Sequence, residues 1–133
     1  MNEEKKRHIL IIDDDEMIQR LFGAKLSKEG FEPLYAHDGE TGREMARRFI
    51  PSLILLDIRM PGTDGFALAN RLKEETETKE IPLAFLTNED LSLEAEKWMR
   101  DIGITDYFHK SMDLNEFVNK VKKIIGIDGG PQP

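Results

Sequence analysis

Short apolar runs alternate with amphipathic segments along the whole chain. The runs are continuous, which is typical of strands that a sheet buries on both faces. They predict five strands, at His8–Asp13, Phe31–Ala36, Leu53–Asp57, Leu83–Thr87 and Asp106–His109. Pro33 has no N–H to donate to a neighbouring strand, so the second strand is expected at an edge of the sheet.

Between the strands, apolar residues recur at steps of three and four, which predicts a helix after each strand. The apolar positions of the five helices fall within Ile18–Leu26, Met45–Phe49, Phe66–Leu72, Ala95–Ile102 and Leu114–Ile125. Asp38 and Asp64 stand where they can cap the second and third helices, and Asp113 with Glu116 gives a capping-box pattern before the fifth. Trp98 shares the spacing of its apolar neighbours and is interpreted as a core residue rather than an interface residue.

Five consecutive strand–helix units predict an α/β fold, in which a doubly wound, five-stranded parallel sheet carries helices on both faces. An edge position for the second strand favours the flavodoxin-like strand order 2-1-3-4-5. The domain is expected to cover residues 1–126, and the Gly- and Pro-rich residues 127–133 are expected to form a flexible tail.

Composition narrows the possible functions. The chain has 133 residues, enough for one domain, and its formal net charge is −7 with a pI near 5.0. That acidity argues against nucleic-acid binding, which needs clustered basic charge. The sequence has no cysteine, so disulfides and thiol chemistry are excluded. Its apolar runs are too short to cross a membrane and no signal peptide opens the chain, so a cytoplasmic location is expected.

Polar side chains stand at the carboxyl ends of four predicted strands. Asp13 and Asp14 follow the first strand, Asp57 and Thr87 end the third and fourth, and Lys110 follows the fifth. Ligands bind at this edge of an open parallel sheet, so these side chains are expected to meet. Two carboxylates ~4 Å apart repel by roughly 4 kcal/mol at an effective dielectric of 20, and Mg²⁺ would remove that repulsion. An acidic metal cup beside a hydroxyl and an ammonium suggests a phosphoryl site.

Each of these residues also has a plain structural explanation. The three aspartates at 13–15 would simply cap the first helix, Thr87 would be an ordinary β-branched strand residue, and Lys110 a solvated surface cation. Their joint occurrence at the right strand ends favours the phosphoryl site. Within that site the Asp57 carboxylate is the candidate nucleophile, which would form an acyl phosphate.

The same residues carry a resemblance to a known family. The chain resembles a receiver domain of a two-component response regulator, of the single-domain type similar to the chemotaxis response regulator. The resemblance runs from His8 to about Ile125. Its motifs are Ile9–Asp14 with Asp15, Leu53–Gly62 with Asp64-Gly65, Leu86-Thr87 and Asp106–Lys110. Such a set, in this order and spacing, is highly specific.

The resemblance implies a role for each motif residue. Asp57 would be the phosphoacceptor, and Thr87 and Lys110 would hold the phosphoryl oxygens. Tyr107 would swing inward when Thr87 moves, so these two residues would form the switch. The implied Mg²⁺ ligands are Asp14, Asp57 and the carbonyl of Arg59, with Asp13 acting through water.

Several positions around the site differ from the family's usual pattern or vary within it. Ser111 follows Lys110 where the family usually has a proline in a cis peptide. A cis bond without proline costs roughly 3–4 kcal/mol, so the Lys110–Ser111 peptide is expected to be trans. Asn88 replaces a usually small residue and would narrow access to the phosphoryl group. Arg59 and Glu89 flank the site, and we hypothesise that they pair across its mouth.

The leading hypothesis is a phosphorylation-dependent signalling switch. A sensor histidine kinase or phosphotransfer protein would donate the phosphoryl group, and the domain would catalyse only its own phosphorylation and dephosphorylation, so it is not expected to be an enzyme in the usual sense. Affinity for an unknown output protein would change at the face formed by the fourth helix, fifth strand and fifth helix.

Three alternatives remain at this stage. A Mg²⁺-dependent aspartyl-phosphate hydrolase usually has an acidic residue two positions after its nucleophile, where this chain has Arg59. An interaction module that is never phosphorylated would not need Asp14, Asp57, Thr87 and Lys110 together. The receiver part of a transcription factor would need an effector domain, and only eight residues follow Ile125.

Overall fold

The computed structural model describes residues 6–127, so all but the first residue of the predicted tail lies outside the described residues. Five parallel strands form one sheet: β1 (His8–Ile12), β2 (Glu32–Ala36), β3 (Leu53–Asp57), β4 (Leu83–Thr87) and β5 (Tyr107–His109). Their spatial order is β2-β1-β3-β4-β5, which confirms the predicted fold class and strand order. Pro33 lies on the edge strand β2, as expected from its missing N–H.

Five helices alternate with the strands: α1 (Glu16–Lys28), α2 (Gly39–Phe49), α3 (Gly65–Glu74), α4 (Leu93–Asp101) and α5 (Leu114–Ile124). They cover both faces of the sheet and create two core layers. In β1, Leu10 and Ile12 face the layer of α2, α3 and α4, whereas Ile9 and Ile11 face the layer of α1 and α5. Because successive strand residues point to opposite faces and both faces are covered, the buried part of the strand, Ile9–Ile12, is apolar at every position.

The predicted helix caps are confirmed. Asp38 accepts a hydrogen bond from the Thr41 N–H at 2.8 Å, and Asp64 accepts one from the Phe66 N–H at 3.0 Å. Asp113 likewise accepts from the Glu116 N–H at 3.1 Å. Among the described residues, the Glu116 side chain does not return the second bond, to the Asp113 N–H, that would complete a capping box. Each cap satisfies an N–H that the helix leaves without an internal partner, which fixes where the helix begins.

Three boundaries differ from the predicted strands, and one element was not predicted. Asp106 lies just before β5, which begins at Tyr107. The Phe31 N–H donates to the Leu26 carbonyl at 3.0 Å, so Phe31 closes the end of α1 instead of opening β2. Asp13 lies just beyond β1. A two-residue hairpin pairs Arg59–Met60 with Thr63–Asp64 around Gly62, whose φ of 73° suits glycine.

Trp98 is partly buried and packs edge-on against Phe66 of α3, with ring centroids 5.0 Å apart, in agreement with the core interpretation. Within residues 6–127, the helices are too short or too polar for any of them to span a bilayer.

Candidate functional site

The carboxyl edge of the sheet brings the predicted acidic residues together. Asp57 ends the central strand β3, and the turn after β1 places Asp13 and Asp14 beside it. One carboxylate oxygen from each of these three residues lies within 4.8 Å of the others. Asp13 and Asp57 are buried and Asp14 is exposed. The sequence prediction of an acidic cup at this edge is therefore confirmed as geometry.

Lys110 lies inside this cup and not on the surface. Its ammonium is 2.8 Å from Asp13 Oδ2 and 3.3 Å from Asp57 Oδ2, and its side chain is only 7% exposed. Its backbone N–H donates to the Thr87 carbonyl at 2.8 Å, which anchors the end of β5 to the end of β4. The structure thus rejects the interpretation of Lys110 as a solvated cation, and it places the ammonium nearer to Asp13 than to Asp57.

Asp13 is the most deeply buried member of the cup. Its Oδ1 accepts a hydrogen bond from the Asp15 N–H at 2.9 Å. Its Oδ2 is fully buried and faces the Lys110 ammonium at 2.8 Å, which is the polar contact that the described residues offer it. Asp15 points the other way and caps α1 through the Met17 N–H at 2.9 Å. Only one of the three consecutive aspartates is therefore a simple helix cap.

The electrostatics of the cup oppose the ionised form of Asp57. Burial and, next, repulsion from Asp13 raise the pKa of Asp57 from 3.8 to about 6. Attraction from Lys110 and the hydrogen bond from the Arg59 N–H act in the lowering direction and do not cancel this rise. Burial alone would lower the pKa of Lys110, but its contacts with Asp13 and Asp57 outweigh burial and raise it above its ordinary value.

These residues fit a hard divalent cation. Three ionised carboxylates against one ammonium leave two uncompensated negative charges, and the available ligand atoms are oxygens. The Asp13 Oδ2 oxygen still has capacity for a further polar partner. Arg59 follows Asp57 by two residues and its N–H donates to Asp57 Oδ1 at 3.1 Å, so its backbone lies against the cup. The donor set is therefore suitable for Mg²⁺ with several retained waters.

Thr87 ends β4 beside this cup and is 4% exposed. Its hydroxyl accepts the Glu89 N–H at 3.0 Å and donates to the Glu89 carbonyl at 3.1 Å. Tyr107 on β5 is partly buried, and its hydroxyl donates to Glu96 of α4 at 3.3 Å. Burial and then the nearby Glu96 charge raise the pKa of Tyr107. In this structure the Thr87 hydroxyl therefore bonds to the loop that follows β4, and the Tyr107 hydroxyl bonds to α4.

The mouth of the site matches two of the expectations from sequence. Arg59 Nε donates to Glu89 Oε1 at 2.6 Å, so the hypothesised pair exists, and with side chains 77% and 58% exposed it is worth about 0–1 kcal/mol. The Lys110–Ser111 peptide is trans, as predicted. Asn88, between Thr87 and Glu89, is exposed.

Sequence reasoning missed one residue that contacts the site. Gln19 is 5% exposed, and its amide nitrogen donates to the Asp13 carbonyl at 2.8 Å and to the Ala36 carbonyl at 3.0 Å. The available signal was a polar residue on the inward stripe of α1, next to Ile18 and before Phe22. Such a residue needs a buried hydrogen-bond partner.

The geometry defines an α/β domain with an acidic, lysine-containing pocket at the carboxyl edge of its sheet. The family model of the response regulator receiver domain matches residues 9–122. The chain belongs to this family: it is a receiver domain of two-component response regulators with an acidic pocket formed by Asp13, Asp14 and Asp57.

Individual relatives agree with this assignment. Response regulator PleD of Caulobacter vibrioides is 39% identical over 105 residues, which are 79% of this chain but 23% of PleD. Protein PilH of Pseudomonas aeruginosa is 32% identical over 117 residues, 88% of this chain and 96% of PilH. The structure of Vibrio cholerae chemotaxis protein CheY4 is similar in fold, with a TM-score of 0.83, 22% identity, and coverage of 90% of this chain and 99% of CheY4. The chain thus spans about a quarter of PleD and nearly the length of PilH.

Proposed function

We propose that this chain is a phosphorylation-dependent switch that accepts a phosphoryl group on Asp57. One observation carries the proposal: a buried carboxylate, 3.3 Å from a buried ammonium, lies in a cup with two further carboxylates. Burying mutually repelling carboxylates costs folding free energy, and a bound cation would offset that cost. The arrangement therefore suits a site that binds a cation and accepts a phosphoryl group. The proposed donor is a phospho-histidine of a sensor histidine kinase or phosphotransfer protein.

In the proposed reaction an Asp57 carboxylate oxygen attacks phosphorus and the P–N bond of the donor breaks, returning its electron pair to the imidazole nitrogen. The Lys110 ammonium stabilises the phosphoryl oxygens, and the Thr87 hydroxyl donates to one of them. Asp13, Asp14, Asp57 and the Arg59 carbonyl are the residues that would hold Mg²⁺, whose contribution is to neutralise charge on the phosphoryl oxygens.

The proposed switch begins at Thr87. To donate to a phosphoryl oxygen, its hydroxyl must leave the Glu89 carbonyl to which it now donates at 3.1 Å. That exchange would shift the loop between β4 and α4. Tyr107 of β5 is linked to α4 through the hydrogen bond from its hydroxyl to Glu96. The change would therefore reach the α4–β5–α5 face, which we propose as the surface that binds an unknown output protein.

We propose that the phosphodonor docks in a groove between α1 and the start of α5. The groove has a volume of about 570 Å³ and lies beside the site, because α1 follows the aspartates and α5 follows Lys110. Met17 and Leu21 are 74% and 46% exposed there. The charged residues that line the groove are three basic ones and one acidic one, namely Arg20, Lys25, Lys28 and Asp113. Exposed apolar side chains within a basic rim suit an amphipathic, acidic helix of the donor.

We further propose that the protein is cytoplasmic and acts without nucleic acid or membrane, given its acidic composition. The hydrolase alternative finds no support, because the residue two positions after Asp57 is Arg59, whose side chain is exposed and paired with Glu89.

Acetyl phosphate with Mg²⁺ tests the proposal. Intact mass spectrometry should show one added phosphoryl group, stable to acid and labile to base, that Asp57→Asn abolishes. Asp101→Asn, an exposed carboxylate on α4, is the matched control and should remain phosphorylated. An adduct that persists in Asp57→Asn would refute the assignment.

A further inference from the structure

Gln19 links the ends of two strands at the acidic cup. Its amide nitrogen donates to the Asp13 carbonyl at 2.8 Å and to the Ala36 carbonyl at 3.0 Å. The Ala36 carbonyl also accepts the Asp13 N–H at 3.0 Å, so the two residues share one acceptor at the end of β2. The proposed phosphoryl transfer does not use this side chain, although it contacts the backbone of a cup residue.

The sheet holds the N–H of Asp13, through the Ala36 carbonyl, but it does not hold the Asp13 carbonyl. Strand β1 ends at Ile12, and the carboxylates of Asp13 and Asp14, which follow it, repel one another within the cup. The Gln19 bond satisfies the Asp13 carbonyl and fixes the orientation of the peptide between Asp13 and Asp14. The direction in which the Asp14 side chain leaves the backbone depends on that peptide.

We infer that Gln19 is a positioning residue that holds the Asp13–Asp14 backbone in its cation-binding arrangement before a cation binds. The inference rests on the proposed Mg²⁺-dependent function and names a residue outside its ligand set. Groups that orient metal ligands through hydrogen bonds change metal affinity by about 10–100-fold when they are removed. Because Gln19 acts on a ligand residue's backbone and not on a ligand atom, about tenfold is expected.

Gln19→Met removes the donor at nearly constant volume, and Gln19→Leu removes it with a different shape. The matched control is Thr78→Val, which removes another buried side-chain bond to a carbonyl, from Thr78 Oγ1 to Leu72 at 2.6 Å, far from the cup. Three readouts are compared for folded protein well below its melting temperature. They are Mg²⁺ affinity by calorimetry, the Mg²⁺ dependence of Asp57 phosphorylation by acetyl phosphate, and hydrogen exchange of the Asp15 N–H without metal.

Both Gln19 variants should weaken Mg²⁺ binding about tenfold and raise the half-saturating Mg²⁺ for phosphorylation equally, with little change in the rate at saturating Mg²⁺. The Asp15 N–H should also exchange faster in the absence of metal, because its bond to Asp13 Oδ1 loses its support. Thr78→Val should lower the melting temperature without moving these quantities.

Unchanged Mg²⁺ affinity and Asp15 exchange in both folded Gln19 variants would overturn the inference, and so would equal shifts in Thr78→Val. Failure of the wild type to bind Mg²⁺ or to be phosphorylated would instead refute the proposed function. Hydrogen exchange of the Asp15 N–H requires neither Mg²⁺ binding nor phosphorylation, so it tests the role of Gln19 independently of the proposed function.

Discussion

Replacing Asp57 by Asn should stabilise the metal-free protein at neutral pH. The Asn side chain resembles the protonated carboxyl, so it removes the buried charge while keeping an oxygen for the Arg59 N–H. The pKa of Asp57 rises from 3.8 to about 6 on folding, chiefly through burial and then through repulsion from Asp13. At 1.36 kcal/mol per pKa unit, this rise corresponds to about 3 kcal/mol.

The sign follows from proton binding. Between pH 3.8 and about 6 the folded protein keeps a proton on Asp57 that the unfolded chain releases, so the wild type loses stability as pH rises through this interval. The penalty is complete above pH 6 and absent well below pH 3.8. The advantage of Asp57→Asn should therefore be about 3 kcal/mol at pH 7.5 and less than about 1 kcal/mol at pH 4.

Urea unfolding in EDTA at the two pH values measures these differences. Asp101→Asn, an exposed carboxylate, serves as the control and should change the free energy of unfolding by less than about 0.5 kcal/mol. Added Mg²⁺ should stabilise the wild type more than Asp57→Asn, since the variant lacks a ligand charge. A variant that is no more stable than the wild type at pH 7.5, or equally stabilised at pH 4, would refute the reasoning.

Three further predictions concern the metal, the donor and the lysine loop. Asp14→Ala should lose Mg²⁺ affinity and phosphorylation together, because it removes an exposed oxygen of the cup; an unchanged calorimetric titration would contradict this. Met17→Glu should slow phosphoryl transfer from a cognate phosphodonor protein at least tenfold, but it should not slow transfer from acetyl phosphate, which needs no docking groove. Equal slowing with both donors, in stopped-flow or radiolabel assays, would contradict the proposed docking at this groove. Ser111→Pro should lower the free energy of unfolding by about 1 kcal/mol and slow phosphorylation, because it removes the Ser111 N–H and hydroxyl bonds to His109 Nδ1. Ser111→Ala keeps the N–H and should lose less stability. A proline variant that is both more stable and phosphorylated faster would show that the trans loop is not the functional one.

The sequence alone was sufficient for the architecture of this protein. Each continuous apolar run has to lie between two covered faces, and each helical stripe has to cover one of them, so the number and type of elements follow from local periodicity. Pro33 then identifies an edge strand, and parallel topology places the residues after β1, β3, β4 and β5 at one edge. That reasoning brought Asp13, Asp14, Asp57 and Lys110 together, as the structure has them. It also placed Thr87 at the neighbouring strand end, where its carbonyl accepts the Lys110 N–H.

Only the tertiary structure decided how these side chains are partnered. Three contacts depend on a few ångströms and on side-chain direction. Lys110 lies closer to Asp13 than to Asp57, the Thr87 hydroxyl bonds to Glu89, and Gln19 spans the ends of β1 and β2. Periodicity specifies which face a residue occupies, but a hydrogen bond or an ion pair depends on distances between atoms that are far apart in sequence. Those distances are set only when the packed layers fix the strand ends relative to one another.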